Sequence, residues 1–249
     1  MMSNYSNKEY EIFSRLFILK EFSQDNLKIL SNLKVGIVGI GGIGCPLSQY
    51  LVSSGIKNLI LIDGDIVEKH NLNRQILFNL DNIGEKKVIV AKNKLKLINN
   101  DCNIKILDKD INTKNIKFLN DCNIIVDATD DWKTSKTLNE FCVNNSINFL
   151  FSSVIKHYLQ IILFNNSKKD EHLCLNCIFP NEHELDLPRC ETVGISGISA
   201  GLAGLICAQK IINFSLNLTN ESNILTVSDG KKLSIENIIV RSKHECLLK

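Results

Sequence analysis

Four glycines lie in a short loop that follows a run of apolar residues near the start of the chain. The run 35–38 leads into Gly39, Gly41, Gly42 and Gly44, and a helical pattern follows. Glycine reaches backbone angles that other residues avoid, and it lets backbone N–H groups approach phosphate oxygens closely. The N-terminus of the following helix adds donors and a partial positive charge. The loop therefore indicates a phosphate-bearing ligand, either a redox dinucleotide or a nucleoside triphosphate.

A carboxylate follows this loop at the distance expected of a ribose-binding residue. Asp63 ends the next apolar run, nineteen residues after Gly44. A carboxylate at that position can accept hydrogen bonds from both ribose hydroxyls, in NAD as well as in ATP. The loop and Asp63 by themselves leave an NAD(P)-dependent oxidoreductase open as an alternative.

The segment after Asp63 contains the residues that distinguish a triphosphate site from a redox-dinucleotide site. Arg74 and Lys87 would neutralise the β- and γ-phosphates of a triphosphate, or the charge that develops on pyrophosphate. Asn71 and Gln75 add uncharged donors and acceptors, and we include Asp65 in the same nucleotide-binding set. Each could be an ordinary surface residue, but a nicotinamide domain has no need for the set. The segment therefore favours a triphosphate.

Three carboxylates follow a later apolar run. Asp127, Asp130 and Asp131 stand in the stretch NIIVDATDDW. Carboxylates beside phosphates usually serve Mg2+, which prefers oxygen ligands. We predict that Asp130 binds the magnesium ion and that Asp131 belongs to the nucleotide site, whereas Asp127 caps its strand.

Two of the nine cysteines have the spacing of a metal knuckle. Cys174 and Cys177 form a CxxC pair, which suits tetrahedral Zn2+ bound through thiolates. One pair supplies two ligands, so further ligands are required. The alternative is a pair of thiols without a metal.

A third cysteine is a candidate nucleophile. Cys190 follows Arg189 at the entrance to a glycine-rich helix, and both the cation and the helix N-terminus would lower the pKa of its thiol. Five further cysteines are interpreted as small apolar residues, namely Cys45, Cys102, Cys122, Cys142 and Cys207.

Composition limits the class of protein. The 249 residues carry a net charge of +2 with acids and bases interspersed, so nothing indicates a nucleic-acid or anionic-membrane partner. The longest apolar stretch, 193–208, is interrupted by glycines and is shorter than the ~20 residues of a membrane span. Nine cysteines without a secretion signal indicate a reducing, cytoplasmic location.

Apolar periodicity predicts strands that alternate with helices. Strand patterns cover 33–39, 58–63, 104–111, 123–127, 149–154 and 159–164, with a terminal hairpin at 224–227 and 233–240. Helix patterns cover 5–31, 42–54, 84–99, 133–145 and 194–214. This order predicts an α/β fold, Rossmann-like and doubly wound, with a mainly parallel sheet and antiparallel C-terminal strands. We treat 1–249 as one domain, with 1–31 as an N-terminal helical arm.

The predicted fold brings the candidate residues together. Ligands of doubly wound sheets bind beyond the carboxyl ends of the strands. The segment Gly39–Gly44, Asp63 and the segment Asp127–Asp131 each follow a predicted strand. We therefore expect them to meet at one edge of the sheet.

The combined motifs resemble a known family. The stretches GIGGIG, DGDIVEKHNLNRQ, GEKKV and DATDD are similar to the adenylation domain of the ThiF/MoeB/HesA family, whose members are relatives of ubiquitin-activating enzymes. These adenylyltransferases activate ubiquitin-like sulfur carrier proteins. The similarity runs from about Arg15 to Cys246.

The resemblance implies roles for the nucleotide-binding residues. ATP would bind at Gly39–Gly44 with its ribose on Asp63. Asn71, Arg74 and Lys87 would contact the phosphates. Asp130 would bind Mg2+.

The resemblance also implies a homodimer. The stretch SRLFILKEF is similar to the family's arginine-bearing N-terminal segment, so Arg15 would reach the ATP of the partner subunit. The family usually carries an upstream Arg-Tyr pair, where this chain has Ile12 and Phe13. Glycines at 194, 197, 201 and 204 match a family series that we expect at the dimer interface. Cys190 matches a cysteine that in some members takes the carrier in a covalent link.

The family's zinc knuckle is altered here. The knuckle region comprises 170–192 and 241–249, and Cys246 matches the first cysteine of the family's second CxxC. Lys249 stands where the second cysteine is expected. Three possibilities follow: His244 completes a Cys3His site, a three-ligand site forms with water, or zinc is lost.

A second departure lies at 152–161, where Lys156, His157 and Tyr158 replace the family's small residues. His157 is open to interpretation as a general base or an exposed loop residue. The resemblance still implies ATP-dependent adenylation of a carrier's C-terminal Gly-Gly carboxylate, for sulfur transfer in thiamine or molybdenum-cofactor biosynthesis. A cysteine desulfurase or rhodanese would donate the sulfur. A degenerate ATP-binding family member is the alternative.

Overall fold

Eight strands form one sheet in the computed structural model, which describes residues 11–167, 173–180, 194–241, 246 and 248. The sheet order is β3-β2-β1-β4-β5-β6-β7-β8. The strands are β1 (Lys34–Val38), β2 (Asn58–Ile62), β3 (Asn103–Leu107), β4 (Ile124–Asp127), β5 (Asn148–Ile155), β6 (Tyr158–Phe164), β7 (Ile224–Asp229) and β8 (Ser234–Ile239). Strands β1 to β5 pair in parallel, and β5 to β8 pair antiparallel. The predicted mainly parallel sheet with antiparallel C-terminal strands is confirmed.

Helices connect and cover these strands. In the described part of the chain they are α1 (Gln24–Asn32), α2 (Gly44–Ser53), α3 (Lys87–Ile98), α4 (Trp132–Asn144), the single turn α5 (Leu175–Ile178) and α6 (Gly197–Ser215). Ser23 caps α1, since its hydroxyl accepts the Asn26 N–H at 3.3 Å. Asp131 caps α4 in the same way.

The sheet is buried on both faces along β1, β2 and β4. Successive residues of a strand point to opposite faces, so Ile124 and Val126 join one apolar cluster and Ile125 joins the other. The first cluster lies under α1, α2, α3 and α6, whereas the second lies under α4 and the knuckle turn α5. This arrangement explains why β1, β2 and β4 read as continuous apolar runs in the sequence.

The connections place one crevice at the carboxyl edge of the sheet. Strand β1 pairs with β2 on one side and with β4 on the other, so the chain reverses its winding direction between β1 and β4. Open α/β sheets bind ligands at such a switch point. The glycine loop after β1, Asp63 after β2 and the aspartates after β4 all lie there.

Helix α6 packs into the core of the chain. By length and composition it could cross a membrane, but half of its apolar window is buried inside the protein. It packs against α2, β5 and β6. Gly204 allows the closest approach to α2, because a Cβ there would lie 2.6 Å from the Ile43 carbonyl oxygen. Gly197 and Gly204 therefore serve packing within the chain.

Several element boundaries differ from the predicted ones. The arm is not one helix over 5–31: its described part contains two 3-10 turns, Leu16–Ile18 and Lys20–Phe22, before α1 begins. Helix α3 begins at Lys87 rather than at 84, and α6 begins at Gly197 rather than at 194, where Gly194 has φ +75°. Strand β3 ends at Leu107, because Leu107 pairs with Ile62, the last residue of β2, and the residues after Leu107 have no strand to pair with in the described part of the chain.

Candidate functional site

The four loop glycines have different surroundings. The fold itself requires glycine at some of these positions, whereas at one position there is room for a ligand. Gly39 has φ +91°, and a Cβ there would lie 2.7 Å from the Ala128 carbonyl oxygen. A Cβ on Gly44 would overlap the Gly39 carbonyl oxygen. At Gly41, by contrast, the nearest atom to a Cβ would be Gln75 Nε2 at 3.8 Å, an ordinary contact. The fold does not demand glycine at position 41, so the space beside it is available to a phosphate group.

Asp63 ties the loop to the end of β2. Its Oδ2 accepts the Ile40 N–H at 2.7 Å, and its Oδ1 accepts the Asp65 N–H at 2.9 Å. Burial raises the pKa of Asp63, and the nearby Lys87 charge and the two N–H donors oppose that rise. The carboxylate is thus held in a fixed orientation at the strand end, as a ribose-binding residue requires.

Lys87 places a buried cation beside two carboxylates. Its Nζ lies 2.7 Å from Asp65 Oδ2 and 4.0 Å from Asp63 Oδ1. The lysine side chain is 6% exposed, whereas that of Asp65 is 69% exposed. A buried ammonium needs compensating charge, and in this chain the two aspartates provide it.

Arg74 and Gln75 lie against the other side of the glycine loop. A Cβ on Gly42 would lie 3.5 Å from Arg74 Cγ, and the Arg74 guanidinium donates from Nη1 to the His70 carbonyl oxygen at 3.0 Å in an exposed hydrogen bond. Gln75 is buried, and its Oε1 has no hydrogen-bond partner in the described residues. The unpartnered Oε1 can only accept a hydrogen bond, for example from a ligand hydroxyl, whereas Nε2, the Gln75 atom nearest Gly41, is the one able to donate to a phosphate.

Asn71 organises the turn that carries Arg74. Its Oδ1 accepts the Glu68 N–H at 2.9 Å, and its carbonyl oxygen accepts the Gln75 N–H at 2.9 Å. The geometry therefore gives Asn71 a local role in addition to the predicted phosphate contact.

The three aspartates after β4 have different surroundings. Asp127 is fully buried; its Oδ1 accepts from Thr129 N and Oγ1 at 3.0 and 2.7 Å. Burial raises the pKa of Asp127 to about 6. Asp131 Oδ2 accepts the Thr134 N–H at 2.9 Å as the α4 cap. Asp130 is exposed at the crevice. Asp131 is exposed as well, but its Oδ2 is engaged by Thr134, so Asp130 is the exposed carboxylate of the three that is better suited to a magnesium ligand.

The N-terminal segment holds Arg15 at the surface. Phe13 is 1% exposed and anchors this segment in the core, two residues before the exposed Arg15. The apolar Phe13 thus serves packing at one of the two positions where the family has its upstream Arg-Tyr pair. The contact of Arg15 with a partner's nucleotide stays a prediction.

Three cysteines from two distant segments converge. Cys246 Sγ lies 3.3 Å from Cys174 Sγ, and Cys177 Sγ lies 3.7 Å from Cys174 Sγ. Thiolates around a tetrahedral zinc with bonds of about 2.3 Å are about 3.8 Å apart, so the three sulfurs fit one zinc ion. Burial and the neighbouring thiols raise the pKa of Cys174 to about 12. A bound cation would reverse that effect, because it stabilises the thiolate.

Asn139 holds this knuckle against α4 and was not foreseen from the sequence. Its Oδ1 accepts the Leu175 N–H at 2.9 Å in a buried environment. Below the knuckle, Trp132 packs edge-on against Phe151 and Phe179. An asparagine on an amphipathic helix gives no sequence pattern for such a contact, since the partner lies 36 residues away.

The remaining cysteines divide into two groups. The five that were interpreted as apolar residues are all buried. Burial raises the pKa of Cys45, Cys122 and Cys207 to about 12 each, so these thiols are not activated. Cys190 and His244 lie outside the described residues.

The segment 152–161, where the sequence departs from the family pattern, contains the end of β5, a two-residue turn and the start of β6. Lys156 has φ +57° and, with His157, forms the exposed turn at the carboxyl edge of the sheet. The Lys156 N–H donates to the Gly194 carbonyl oxygen at 3.2 Å, and its carbonyl oxygen accepts the Ser196 N–H at 2.9 Å. The turn thus anchors the start of α6, and His157 is exposed on it.

Comparison with known proteins places this site in a family. The model of the ThiF family matches residues 13–248. The chain belongs to the ThiF family. This match covers the glycine loop, the Arg74 segment, both CxxC-related segments and Arg15. The sequence resemblance is therefore confirmed.

Curated relatives carry adenylyltransferase names. The chain is 31% identical over 242 residues to Adenylyltransferase and sulfurtransferase MOCS3-1 of Drosophila pseudoobscura pseudoobscura, covering 96% of this chain and 53% of that protein. It is 26% identical to Sulfur carrier protein ThiS adenylyltransferase of Escherichia coli, covering 97% of this chain and 95% of that protein. The chain thus spans about half the length of the first relative and nearly all of the second.

Solved structures confirm the fold. The microcin C7 biosynthetic enzyme MccB in complex with N-formylated MccA matches with a TM-score of 0.80 at 22% identity, over 100% of this chain and 77% of that chain. MccB of E. coli solved with ATP matches with a TM-score of 0.77 at 20% identity, over 98% and 82%.

Proposed function

We propose that the chain is an ATP-dependent adenylyltransferase that activates the C-terminal Gly-Gly carboxylate of a ubiquitin-like sulfur carrier protein. One observation carries the proposal. The open Gly41 loop, the Asp63–Lys87 pair and Arg74 meet at the switch point of a ThiF-family sheet. The names of the relatives, which include a ThiS adenylyltransferase, support the same reaction.

The reaction needs no general base from the protein. The terminal carboxylate of a carrier is ionised at neutral pH, so one of its oxygens attacks the α-phosphorus directly. The new bond joins that oxygen to phosphorus, while the bond from phosphorus to the bridging β-phosphate oxygen breaks. Pyrophosphate leaves with the electron pair, and an acyl-adenylate remains. An exposed His157 is consistent with this chemistry, because no proton has to be removed.

The side chains at the crevice supply positioning and charge. Asp63 binds the ribose hydroxyls, and the backbone at Gly41 approaches the phosphates. Arg74 and Lys87 stabilise the charge that develops on the leaving pyrophosphate. Asp130 holds Mg2+, which neutralises phosphate charge when it is bound. In a homodimer, Arg15 reaches the nucleotide of the partner subunit.

The later steps rest on residues and partners beyond this crevice. The Cys190 thiolate attacks the carbonyl carbon of the acyl-adenylate and forms a thioester, while AMP leaves with the electron pair of the broken bond from that carbon to the phosphate oxygen. A cysteine desulfurase or rhodanese supplies the sulfur. The carrier serves thiamine or molybdenum-cofactor biosynthesis, in the reducing cytoplasm that the free thiols suit. Cys174, Cys177 and Cys246 would hold Zn2+, which would link the C-terminal segment to the knuckle.

Pyrophosphate exchange tests the proposal. Purified protein is incubated with ATP, Mg2+, labelled pyrophosphate and a carrier ending in Gly-Gly, either ThiS or a carrier of molybdenum-cofactor biosynthesis. We expect carrier-dependent exchange that Arg74→Ala and Asp130→Ala abolish and that Lys117→Ala, at an exposed lysine away from the site, leaves intact.

Two other outcomes would point elsewhere. ATP binding without exchange for any Gly-Gly carrier would indicate a degenerate binding protein. Binding of NAD in place of ATP would contradict the account of the crevice.

A further inference from the structure

The cysteine knuckle differs from a closed zinc site in its number of ligands. Structural zinc sites are almost always four-coordinate with four protein ligands, whereas sites with three protein ligands keep one position for water or another small molecule. In the described residues, Cys174, Cys177 and Cys246 are the one group of three or more His, Cys, Asp or Glu side chains whose ligand atoms converge. Their three sulfurs lie within 4.8 Å of one another.

The sequence does not supply the missing thiolate at the expected spacing. Cys246 is followed by Leu247, Leu248 and Lys249, so a lysine stands at the last position of the second CxxC. A lysine ammonium has a pKa near 10.4 and offers no lone pair at neutral pH. In the part of the chain that the structure describes, two thiolates from the first CxxC and one from Cys246 therefore make up the set.

One side of the set is open to solvent. Cys174 and Cys246 are 1% and 7% exposed, whereas Cys177 is partly exposed. The buried pair fixes two sulfurs in the protein, and Asn139 holds the intervening backbone through the Leu175 N–H. The partly exposed Cys177 is therefore the side from which a bound metal would be reached.

We propose that this knuckle binds zinc through three thiolates and leaves the fourth coordination position to an exchangeable external ligand. Suitable ligands are water and small soft or borderline donors, such as a thiolate or an imidazole. The inference rests on the zinc site of the proposed function and is independent of adenylation.

Cobalt substitution tests this directly, because the visible spectrum of tetrahedral Co2+ reports its ligands. The full chain is stripped of metal, loaded with Co2+, and titrated with imidazole, while elemental analysis gives the metal content. Three variants are compared with the native chain. Lys249→Cys restores the second CxxC, His244→Ala removes the histidine nearest in sequence to Cys246, and Cys246→Ser removes one thiolate.

We expect one Co2+ per native chain and a saturable spectral change with imidazole. His244→Ala should behave like the native chain, Lys249→Cys should bind Co2+ without responding to imidazole, and Cys246→Ser should lose the thiolate bands. A native spectrum that imidazole leaves unchanged would overturn the inference. So would loss of the native spectrum in His244→Ala, an equal response in Lys249→Cys, or a native chain that binds no Co2+. None of these readouts uses adenylation, so failure of the proposed reaction would not be mistaken for failure here.

Discussion

Lys87 Nζ lies 2.7 Å from Asp65 Oδ2, in a pair where the lysine is buried and the aspartate is largely exposed. The second carboxylate, Asp63, is 4.0 Å from the same ammonium and is itself held by two backbone N–H groups. The cation is therefore positioned before any nucleotide arrives. Such preorganised charge is what stabilises a developing pyrophosphate.

Lys87→Ala should impair both the site and the fold. It removes the cation from the phosphate region, and it leaves the buried Asp63 without the ammonium that lies 4.0 Å from its Oδ1. We expect pyrophosphate exchange to fall by about 100-fold or more. Exchange is measured at saturating ATP, with Lys117→Ala as the control. Equal exchange in the two variants would show that Lys87 does not act on the phosphates.

Gly41→Ala should separate ligand binding from stability. The fold accommodates a Cβ at this position, with Gln75 Nε2 at 3.8 Å as its nearest atom. The methyl group would instead occupy space that a phosphate needs. We expect an unchanged melting temperature and a rise in the KM for ATP of about tenfold, equivalent to about 1.4 kcal/mol. An unaltered KM would place the phosphates elsewhere.

Gly39→Ala should destabilise the fold, whereas Gly41→Ala should not. Gly39 and Gly84 have similar φ angles of +91° and +87°, but a Cβ would meet the Ala128 carbonyl oxygen at Gly39 and nothing within 4 Å at Gly84. We expect Gly84→Ala to cost about 1 kcal/mol, the left-handed conformation alone, and Gly39→Ala to cost clearly more. Urea unfolding compares them. Equal losses would mean that the contact with Ala128 relaxes freely.

Asp127 should make the folded state less stable as pH rises. Burial raises its pKa from 3.8 to about 6, so the folded chain holds this proton more tightly than the unfolded chain does. The resulting stability is complete below about pH 4, decreases as pH rises to about 6, and is absent above that. Asp127→Asn keeps the Oδ1 acceptor and cannot ionise.

The unfolding free energy of the native chain minus that of Asp127→Asn should therefore fall by up to about 3 kcal/mol between about pH 4 and pH 7. Exposed Asp81→Asn is the control, for which no such trend is expected. A difference that is constant with pH would show that Asp127 is ionised in the folded chain throughout.

Mixing two inactive variants should restore activity if Arg15 acts across a dimer. Arg15→Ala and Arg74→Ala are each expected to lose exchange. A mixed dimer contains one site with both arginines, so an equal mixture should regain about a quarter of native activity for a symmetric dimer. The mixture is unfolded and refolded together before exchange is measured. Activity that stays absent would place Arg15 outside the partner's site.

The sheet and the positions of the residues at its carboxyl edge could be predicted from the sequence. Buried parallel strands read as apolar runs, and the loops that follow them carry the chemistry, so Asp63 and the glycine loop could be located from the pattern alone. Boundaries were less predictable where tertiary contacts decide them. The residues from Gly194 onward have an apolar, helix-like pattern, but α6 begins only at Gly197. Gly194 has a left-handed φ, and its carbonyl oxygen accepts the Lys156 N–H.

Contacts between distant segments could not be derived from spacing. The Lys87–Asp65 pair spans 22 residues and Cys246–Cys174 spans 72, and neither separation follows from a local periodicity. Gly41 lies in the loop after β1 as predicted, but its distinction from Gly39 required the positions of Ala128 and Gln75. Asn139 was missed because its partner is a backbone N–H.

Direct detection of the adenylated carrier tests the central claim. The protein, MgATP and a Gly-Gly carrier are mixed, quenched, and examined by intact-mass spectrometry, beside a carrier that lacks its last glycine. We expect the intact carrier to gain the mass of one AMP at its C-terminus and the truncated carrier to remain unmodified. A folded, ATP-binding protein that adds no AMP to either type of carrier would contradict the account.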